Sequence, residues 1–257
     1  MGYKKPTEVS KEYLKNLMPP KKKYTYLVAQ HKFIINKTEE IIKKYKLNIE
    51  KEIYKANLNG NIAQGLIYLN HDSALSDAGM MFGWTNSHDN SVKFQCAIGA
   101  YVKVCSNLMI SGEISYISNK LRTVLVNIEK KIEYQIKNAY NTFDCLEQDK
   151  ISLERKSMSF QEQCGIAGLL YIDKGIVNSQ QINVIKNEMI NPSYDYEINE
   201  ETAWAFYNHV THALKSSHPK NWLKKSKQFH NFMTTKYLGK SPISKRDIDN
   251  FVDYDML

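Results

Sequence analysis

The sequence contains no apolar run that approaches the roughly 20 residues a membrane-spanning helix needs. No apolar segment follows its N-terminal Met-Gly-Tyr-Lys-Lys-Pro, so we expect no secretory signal and no membrane partner. The four cysteines are widely spaced and follow no metal-finger pattern. We expect them to be reduced thiols in a cytosolic protein, without a disulfide between Cys96 and Cys105.

The chain also lacks internal repeats and low-complexity linkers. Its 257 residues are 42% hydrophobic and 24% charged, which is enough to bury a core without covalent staples. We therefore predict one α+β domain over residues 25–238. A basic N-terminal arm at 1–24 precedes it, and a tail at 239–257 follows.

Alternating polar and apolar residues dominate the first half of the domain, the sheet part at 25–116. A helix at 33–45 precedes an antiparallel sheet of about five strands within residues 49–106. Asn59-Gly60-Asn61 is a hairpin signal between its first two strands. Two further alternating runs, 92–98 and 101–105, meet at Gly99, which we interpret as a break between strands.

Helical periodicity replaces the alternation in the second half, the helical part at 117–238. A long helix with a continuous apolar seam is predicted from 117 to 146, and a polar connection at 150–157. The seam would pack across the sheet or form a subunit interface in a homo-oligomer. Four further helices are predicted, at 160–172, at 180–189, between an N-cap at Asn199 and Lys215, and at 222–237.

A segment of small polar residues at 86–91, here called the polar segment, lies where a strand is predicted to end. Two antiparallel strands joined at Gly99 would bring the end of the second strand, at Asn107, close to the polar segment. We therefore predict that these residues form one small site. The candidate catalytic residues are Asn86, Ser87, His88, Asp89 and Asn107. The alternative is a tight turn, because Asn, Ser, His and Asp also satisfy backbone groups there.

Two His-Asp pairs raise the question of a divalent metal. His71 and Asp72 precede His88 and Asp89 by seventeen positions, and converging pairs could hold a cation. Their spacing matches no established ligand pattern, so we expect no cofactor, with a divalent metal as the alternative.

The helix expected to end at Lys215 places polar and aromatic side chains on one face, namely Trp204, Asn208 and Thr211. Packing of the Trp is one explanation. Asn208 has poor propensity for a helix interior, which suggests that its side chain binds a partner.

A basic stretch closes the domain, and the whole chain has a formal charge of +8. Residues 215–246 contain no Asp or Glu. Lysines interleaved with aromatic residues are the components of a groove for single-stranded nucleic acid. The candidate binding residues are Lys220, Trp222, Lys224, Lys225, Lys227 and Lys236. The alternative is a helix with a core-facing aromatic stripe and a solvated lysine face.

Three motifs occur in a fixed order along the chain. They are Thr-Asn-Ser-His-Asp-Asn-Ser at 85–91, Val-Lys-Val-Cys-Ser-Asn at 102–107 and Thr-Ala-Trp-Ala-Phe-Tyr-Asn-His-Val-Thr at 202–211. Together they resemble the phage/plasmid-like protein family of unknown function, domain of unknown function 932, over about residues 25 to 235. This chain has Asn90 where that family usually has Gly, and His209 where it often has Ala. The resemblance implies a mobile element in a bacterial cytoplasm, and it implies no activity.

The leading hypothesis is a phage or plasmid accessory protein that binds nucleic acid. Single-stranded DNA is the expected partner, in recombination, annealing or replication. An antiparallel sheet backed by a long helix supports it by fold analogy with annealing proteins. The alternatives are a metal-assisted hydrolase or nuclease with a His/Asp/Asn site, and a non-catalytic inhibitor of a host protein.

Overall fold

The computed structural model describes residues 7–19, 28–70, 78–102, 107–110, 115–117, 124–194 and 201–240. These residues form one antiparallel sheet with helices packed on both of its faces. The α+β fold predicted from the sequence is confirmed. Most of the expected arm and tail lies outside the described residues, so the three-part division of the chain stays a prediction.

Seven strands form the sheet in the described part of the chain. They are β1 (Thr7–Val9), β2 (Asn48–Ala56), β3 (Ile62–Asn70), β4 (Ala78–Ser87), β5 (Phe94–Val102), β6 (Leu108–Met109) and β7 (Ser115–Ile117). The first six lie in chain order, and β7 pairs with β5 beyond β6 along the same strand. Alternation in the sequence located β2 to β5, but β1, β6 and β7 are too short to show a period.

The hairpin between β2 and β3 turns where the sequence predicted it. Gly60 has a φ of +71°, in the left-handed region that glycine adopts without steric cost. Its N–H donates to the Asn57 carbonyl at 2.9 Å, and the Asn57 side chain accepts from the N–H of Ile62 at 3.0 Å. The turn therefore fixes the register of the first hairpin.

Gly99 is not a break between strands, and that prediction was wrong. β5 runs through it without interruption, pairing Gly99 with Met81 of β4. A Cβ on Gly99 would lie 2.5 Å from the backbone oxygen of Met109, so the glycine allows β6 to approach β5 closely. Pairs of alternating runs separated by Gly are ambiguous, because a glycine serves both turns and close backbone contacts.

Eight α-helices are seen in the described residues. They are α1 (Lys11–Asn16), α2 (His31–Lys44), α3 (Val124–Lys137), α4 (Ala139–Glu154), α5 (Phe160–Gly168), α6 (Ser179–Ile190), α7 (Ala203–Leu214) and α8 (Pro219–Asn231). π-Helical turns extend α5 through Leu169–Asp173 and α8 through Phe232–Tyr237. None of the described helices has the length and apolar character that a bilayer crossing requires.

The predicted long helix is two helices, interrupted at Asn138, and α4 continues to Glu154 through the expected connection. Its first residues also differ from the prediction, because Ile117 belongs to β7. The N-cap of α7 is Thr202, whose hydroxyl accepts from Ala205, and not Asn199, which lies outside the described residues. Asp149 is buried within α4 because His230, which is distant in the sequence, bonds to its carboxylate.

One face of the sheet carries the main hydrophobic core. Phe82, Trp84 and Phe94 are fully buried there among residues of α2, α3 and α4. Each large apolar side chain so buried contributes about 1.5–3 kcal/mol. The apolar seam of α3, including Ile128 and Ile132, packs into this core, as the sheet-packing interpretation predicted. A homo-oligomer built on that seam stays a prediction without structural support.

The other face of the sheet is covered in part by α8. Trp222 and Leu223 of this helix pack with Tyr68, Met81 and Ala97 in a second, smaller cluster. Helices on one side and α8 on the other make the central strands inaccessible on most of both faces. The surface that α8 leaves open on this face is where a cleft forms.

Candidate functional site

The polar segment forms a closed turn at the end of β4. The Ser87 hydroxyl donates to the Val92 carbonyl at 2.8 Å and accepts from the Val92 N–H at 2.9 Å. The Asp89 carboxylate accepts from the backbone N–H of Ser91 at 3.0 Å and from its hydroxyl. Burial raises the pKa of Asp89, but these hydrogen bonds outweigh it and hold the pKa below its usual value. These contacts support the tight-turn interpretation.

Asn90 occupies the left-handed position of this turn, with φ of +59°. The family that the sequence resembles usually has Gly there, and Asn is the residue that tolerates this conformation best after Gly. We expect Asn90→Ala to lower the free energy of unfolding by about 1–2 kcal/mol. Asn90→Gly should change it by less than about 0.5 kcal/mol. Urea unfolding measures both, and equal losses in the two variants would contradict the turn assignment.

Asn86 and His88 reach from β4 to the start of α2. The His88 ring accepts the backbone N–H of His31, the first residue of α2, at 3.1 Å through Nε2. Asn86 donates through Nδ2 to the Ala29 carbonyl at 2.9 Å and meets His31 Nδ1 at 3.1 Å. The polar segment therefore caps a helix whose own N-cap residue, Gln30, makes no side-chain cap.

The two histidine rings stack, with centroids 3.7 Å apart. His31 Nε2 lies 3.0 Å from the Gly60 carbonyl, so this nitrogen carries the proton and Nδ1 accepts from Asn86. Burial and the neighbouring His88 lower the pKa of His31 to about 3. Burial lowers the pKa of His88 to about 4, with Asp89 opposing the shift. Both rings are therefore neutral at pH 7 and serve as hydrogen-bonding groups.

These contacts do not arrange His88 and Asp89 as ligands of a metal ion. The Nε2 lone pair of His88 accepts the N–H of His31, and Asp89 Oδ1 accepts from the N–H and the hydroxyl of Ser91. His71 and Asp72 lie outside the described residues. Within the described ranges, no group of three or more His, Cys, Asp or Glu side chains is placed to hold a metal ion.

Asn107 lies at the opposite end of β4 from the polar segment, so the predicted five-residue cluster was wrong. The Val102 N–H donates to the Asn107 carbonyl, and Val102 pairs with Ala78, the first residue of β4. Ser87 is the last residue of that strand, about 30 Å away at roughly 3.3 Å per residue. The error follows from the assumed turn at Gly99.

Asn107 instead joins the second motif to the third. Its side-chain amide donates to the Asn208 side chain at 3.0 Å and to the Asn208 carbonyl at 3.3 Å. Asn208 donates in turn to the Trp204 carbonyl, and the Thr211 hydroxyl donates to the Tyr207 carbonyl. The polar face of α7 is thus fully buried, and the partner expected for Asn208 is Asn107.

A second buried polar group was not anticipated from the sequence. His230 of α8 lies between the Tyr207 hydroxyl, 3.1 Å from Nδ1, and the Asp149 carboxylate, 3.1 Å from Nε2. Lys240 donates to the same carboxylate at 2.7 Å. These residues join α4, α7 and the C-terminal helix. Only Tyr207 belongs to one of the three motifs. Asp149, His230 and Lys240 are far apart along the chain, so no local pattern in the sequence links them.

The basic residues of the C-terminal stretch divide into two groups. Lys220, Lys224 and Lys236 are exposed, whereas Lys225 and Lys227 are partly buried. Burial lowers the pKa of Lys225. Lys236 lies near Asp173, whose pKa falls chiefly through Lys174 and also through Lys236. The exposed pair Lys220 and Lys224 therefore forms the open part of the surface.

The aromatic residues of the same stretch face inward. Phe229 is fully buried and Trp222 is 9% exposed, which agrees with a core-facing stripe. Trp222 nevertheless borders a cleft of about 180 Å³ between α8 and the second face of the sheet. Lys55 of β2 and Lys215 after α7 lie at this cleft. It is the place where the basic surface meets an aromatic side chain.

Three of the four cysteines lie in the described part of the chain. Cys145 and Cys164 are thiols outside any disulfide, Cys96 is buried in β5, and Cys105 lies outside the described residues. Burial raises the pKa of Cys145, which keeps this thiol protonated.

Comparison with known proteins yields one match. Residues 78–238, from β4 to the π-helical turn after α8, match the family described as Domain of unknown function (DUF932). The match spans more than half of the 257 residues and includes all three motifs. No curated protein and no solved structure matches the chain. The motif residues that make the buried contacts described above lie within the matched region. The chain belongs to the DUF932 family of domains of unknown function.

Proposed function

We propose that this protein binds single-stranded nucleic acid, with DNA as the expected partner, through the outer surface of α8. The observation that carries the proposal is a helix with lysines on its open side and no Asp or Glu anywhere in 215–246. Trp222, Leu223 and Phe229 dock its other side on the protein. The lysine side is therefore held toward solvent by the packing of the helix.

Lysines on α2 have a different environment. Lys37 and Lys44 form ion pairs with glutamates of α3 at 3.2 and 2.6 Å. Lys220 and Lys224 form no ion pair with any residue that the structure describes. Lys220 and Lys224 therefore carry positive charge that no described carboxylate neutralises.

Phosphate binding is the chemistry that such a surface favours. Lysines that neutralise phosphates release condensed counterions, which makes the interaction strong at low salt and independent of sequence. The aromatic stripe can stack on a base only at the cleft, because Phe229 is buried and Trp222 reaches the surface only there. The preference for single strands rests on that cleft, which a base can enter only when it is unpaired.

We expect the double substitution Lys220→Ala with Lys224→Ala to weaken binding to single-stranded DNA of any sequence. The plot of log affinity against log salt concentration should flatten by about 1.4, since each lost phosphate contact contributes roughly 0.7. Fluorescence anisotropy with a labelled oligonucleotide at several salt concentrations measures both quantities.

The matched control is Lys37→Ala with Lys44→Ala, which removes the same charge from paired positions on α2. Its salt slope should equal that of the wild type. Wild-type protein that binds neither DNA nor RNA at low salt would refute the proposed function. Equal losses in the two double variants would show that net charge, and not this surface, drives binding.

The role of such binding in phage or plasmid recombination, annealing or replication is part of the proposal and follows from the mobile-element resemblance. A cytoplasmic location is part of it too. The metal-assisted hydrolase and the inhibitor of a host protein stay predictions, and no contact described above favours either one.

A further inference from the structure

A polar row crosses the second face of the sheet beside α8. Lys55, Gln64, Thr85 and Gln95 are directly opposed on β2, β3, β4 and β5. The Gln95 side chain donates to the Lys220 carbonyl at 3.2 Å, which places the first turn of α8 over one end of the row. The other end, at Lys55 and Gln64, is left uncovered and opens into the cleft.

The cleft has an apolar floor and one aromatic wall. Ile53 and Leu66 form the next cross-strand pair on the same face of the sheet as Lys55 and Gln64, and they line the base of the cleft. Trp222 forms the wall and stands over Gly83, where a Cβ would lie 3.3 Å from the indole ring. Glycine at this position lets the ring sit low against the sheet.

Gln64 is the feature of the cleft that needs an explanation. It is only 8% exposed, yet its side-chain amide makes no hydrogen bond with any described residue. An amide offers two donors and an acceptor, and the amide of Gln64 lies at the wall of the cleft without a partner from the protein. Its neighbours in the row, Thr85 and Gln95, each have a fully buried side-chain oxygen that accepts no hydrogen bond. The row therefore has hydrogen-bonding capacity that the protein itself does not use.

The size and charge of the cleft narrow the choice of ligand. Its 180 Å³ is close to the roughly 150 Å³ of cavities that hold a single benzene ring. It is smaller than the roughly 300–1,000 Å³ of pockets for whole drug-sized ligands. Lys55 and Lys215 at the rim favour an anionic group attached to that ring.

We propose that this cleft binds one nucleobase of a single strand. The Gln64 amide bonds to the edge of the base, Trp222 packs against the ring, and Lys55 and Lys215 face the adjoining phosphates. Amide side chains pair with base edges in this way, and aromatic side chains pack on base faces. This inference rests on the proposed function and adds the site at which an unpaired base enters.

The test compares an oligothymidylate with the same strand carrying abasic positions, using wild-type protein and fluorescence anisotropy. The intact strand should bind about fivefold to a hundredfold more tightly, which is the range for stacking of one base. Gln64→Met keeps the side-chain volume and removes the amide. It should weaken binding of the intact strand about fivefold and leave the abasic strand unaffected.

Gln161→Met, at an exposed position of α5, is the matched control and should alter neither affinity. The melting temperature of Gln64→Met should not fall, because no hydrogen bond within the protein is lost. Equal wild-type affinity for the intact and abasic strands would refute the base site while leaving the phosphate-binding surface standing. Binding to neither strand would refute the proposed function as well. A Gln64→Met protein that still discriminates fully would exclude Gln64 from the site.

Discussion

Replacing Asp149 by alanine should lower the free energy of unfolding by about 3–5 kcal/mol, the loss typical of breaking a buried ion pair. The carboxylate is 5% exposed and is bound by His230 at 3.1 Å and by Lys240 at 2.7 Å. Removing it leaves Nε2 of the buried His230 without its acceptor, whereas Lys240 keeps the Ser152 hydroxyl at 2.9 Å. Burial raises the pKa of Asp149, but the two partners outweigh it and hold the pKa below its usual value.

Urea unfolding at pH 7 measures this loss, and Asp144→Ala is the matched control. Asp144 lies on the same helix but is exposed, so its substitution should change stability by less than about 0.5 kcal/mol. Asp149→Asn keeps the shape and part of the hydrogen bonding, and about 1–3 kcal/mol is expected. A loss below about 1 kcal/mol in Asp149→Ala would show that the group does not hold α4 and α8 together.

The stacked histidines should make the protein sensitive to moderate acid. The pKa values of His31 and His88 in the folded state are about 3 and about 4, below the ordinary value of 6.5. Since the folded state disfavours their protonation, the stability they support is present above about pH 6.5 and is lost as the pH falls below it. Two such groups lower the free energy of unfolding by up to about 2.8 kcal/mol per pH unit.

Urea unfolding between pH 7 and 4.5 should therefore show a loss of about 5 kcal/mol, before most carboxylates titrate. His88→Gln removes one titrating ring and keeps an acceptor for the N–H of His31. The slope against pH should fall by about 1.4 kcal/mol per unit in this variant. An NMR titration of His88 with a midpoint near its ordinary pKa would contradict the buried, neutral ring.

Several motif residues in the described part of the chain make contacts that join elements of the fold. Asn86 and His88 attach the start of α2 to β4, and Asn107 attaches the segment before β6 to Asn208 of α7. Tyr207 bonds to His230 and so ties α7 to α8. Motifs of polar residues invite an enzymatic interpretation, but the hydrogen bonds that these side chains make inside the protein also give them a structural role.

The fold was predictable from the sequence where the pattern is local. Alternation located β2 to β5, and Asn59-Gly60-Asn61 predicted the hairpin in which Gly60 adopts a positive φ. Gly99 was misinterpreted, because its role depends on β6, which approaches β5 from a different part of the chain. The break at Asn138 was missed because the apolar seam continues across it.

The sequence by itself determined the α+β class, the acid-free basic stretch and the motifs that identify the family, because composition and local order carry these properties. Only the tertiary structure decided which polar side chains meet. Asn107 with Asn208, His31 with His88, and Asp149 with His230 are far apart along the chain. The fold also decided that Trp222 faces inward at a cleft and that Gln64 beside it keeps its amide unused. Burial and pairing depend on the packing of distant elements, and no local pattern contains that information.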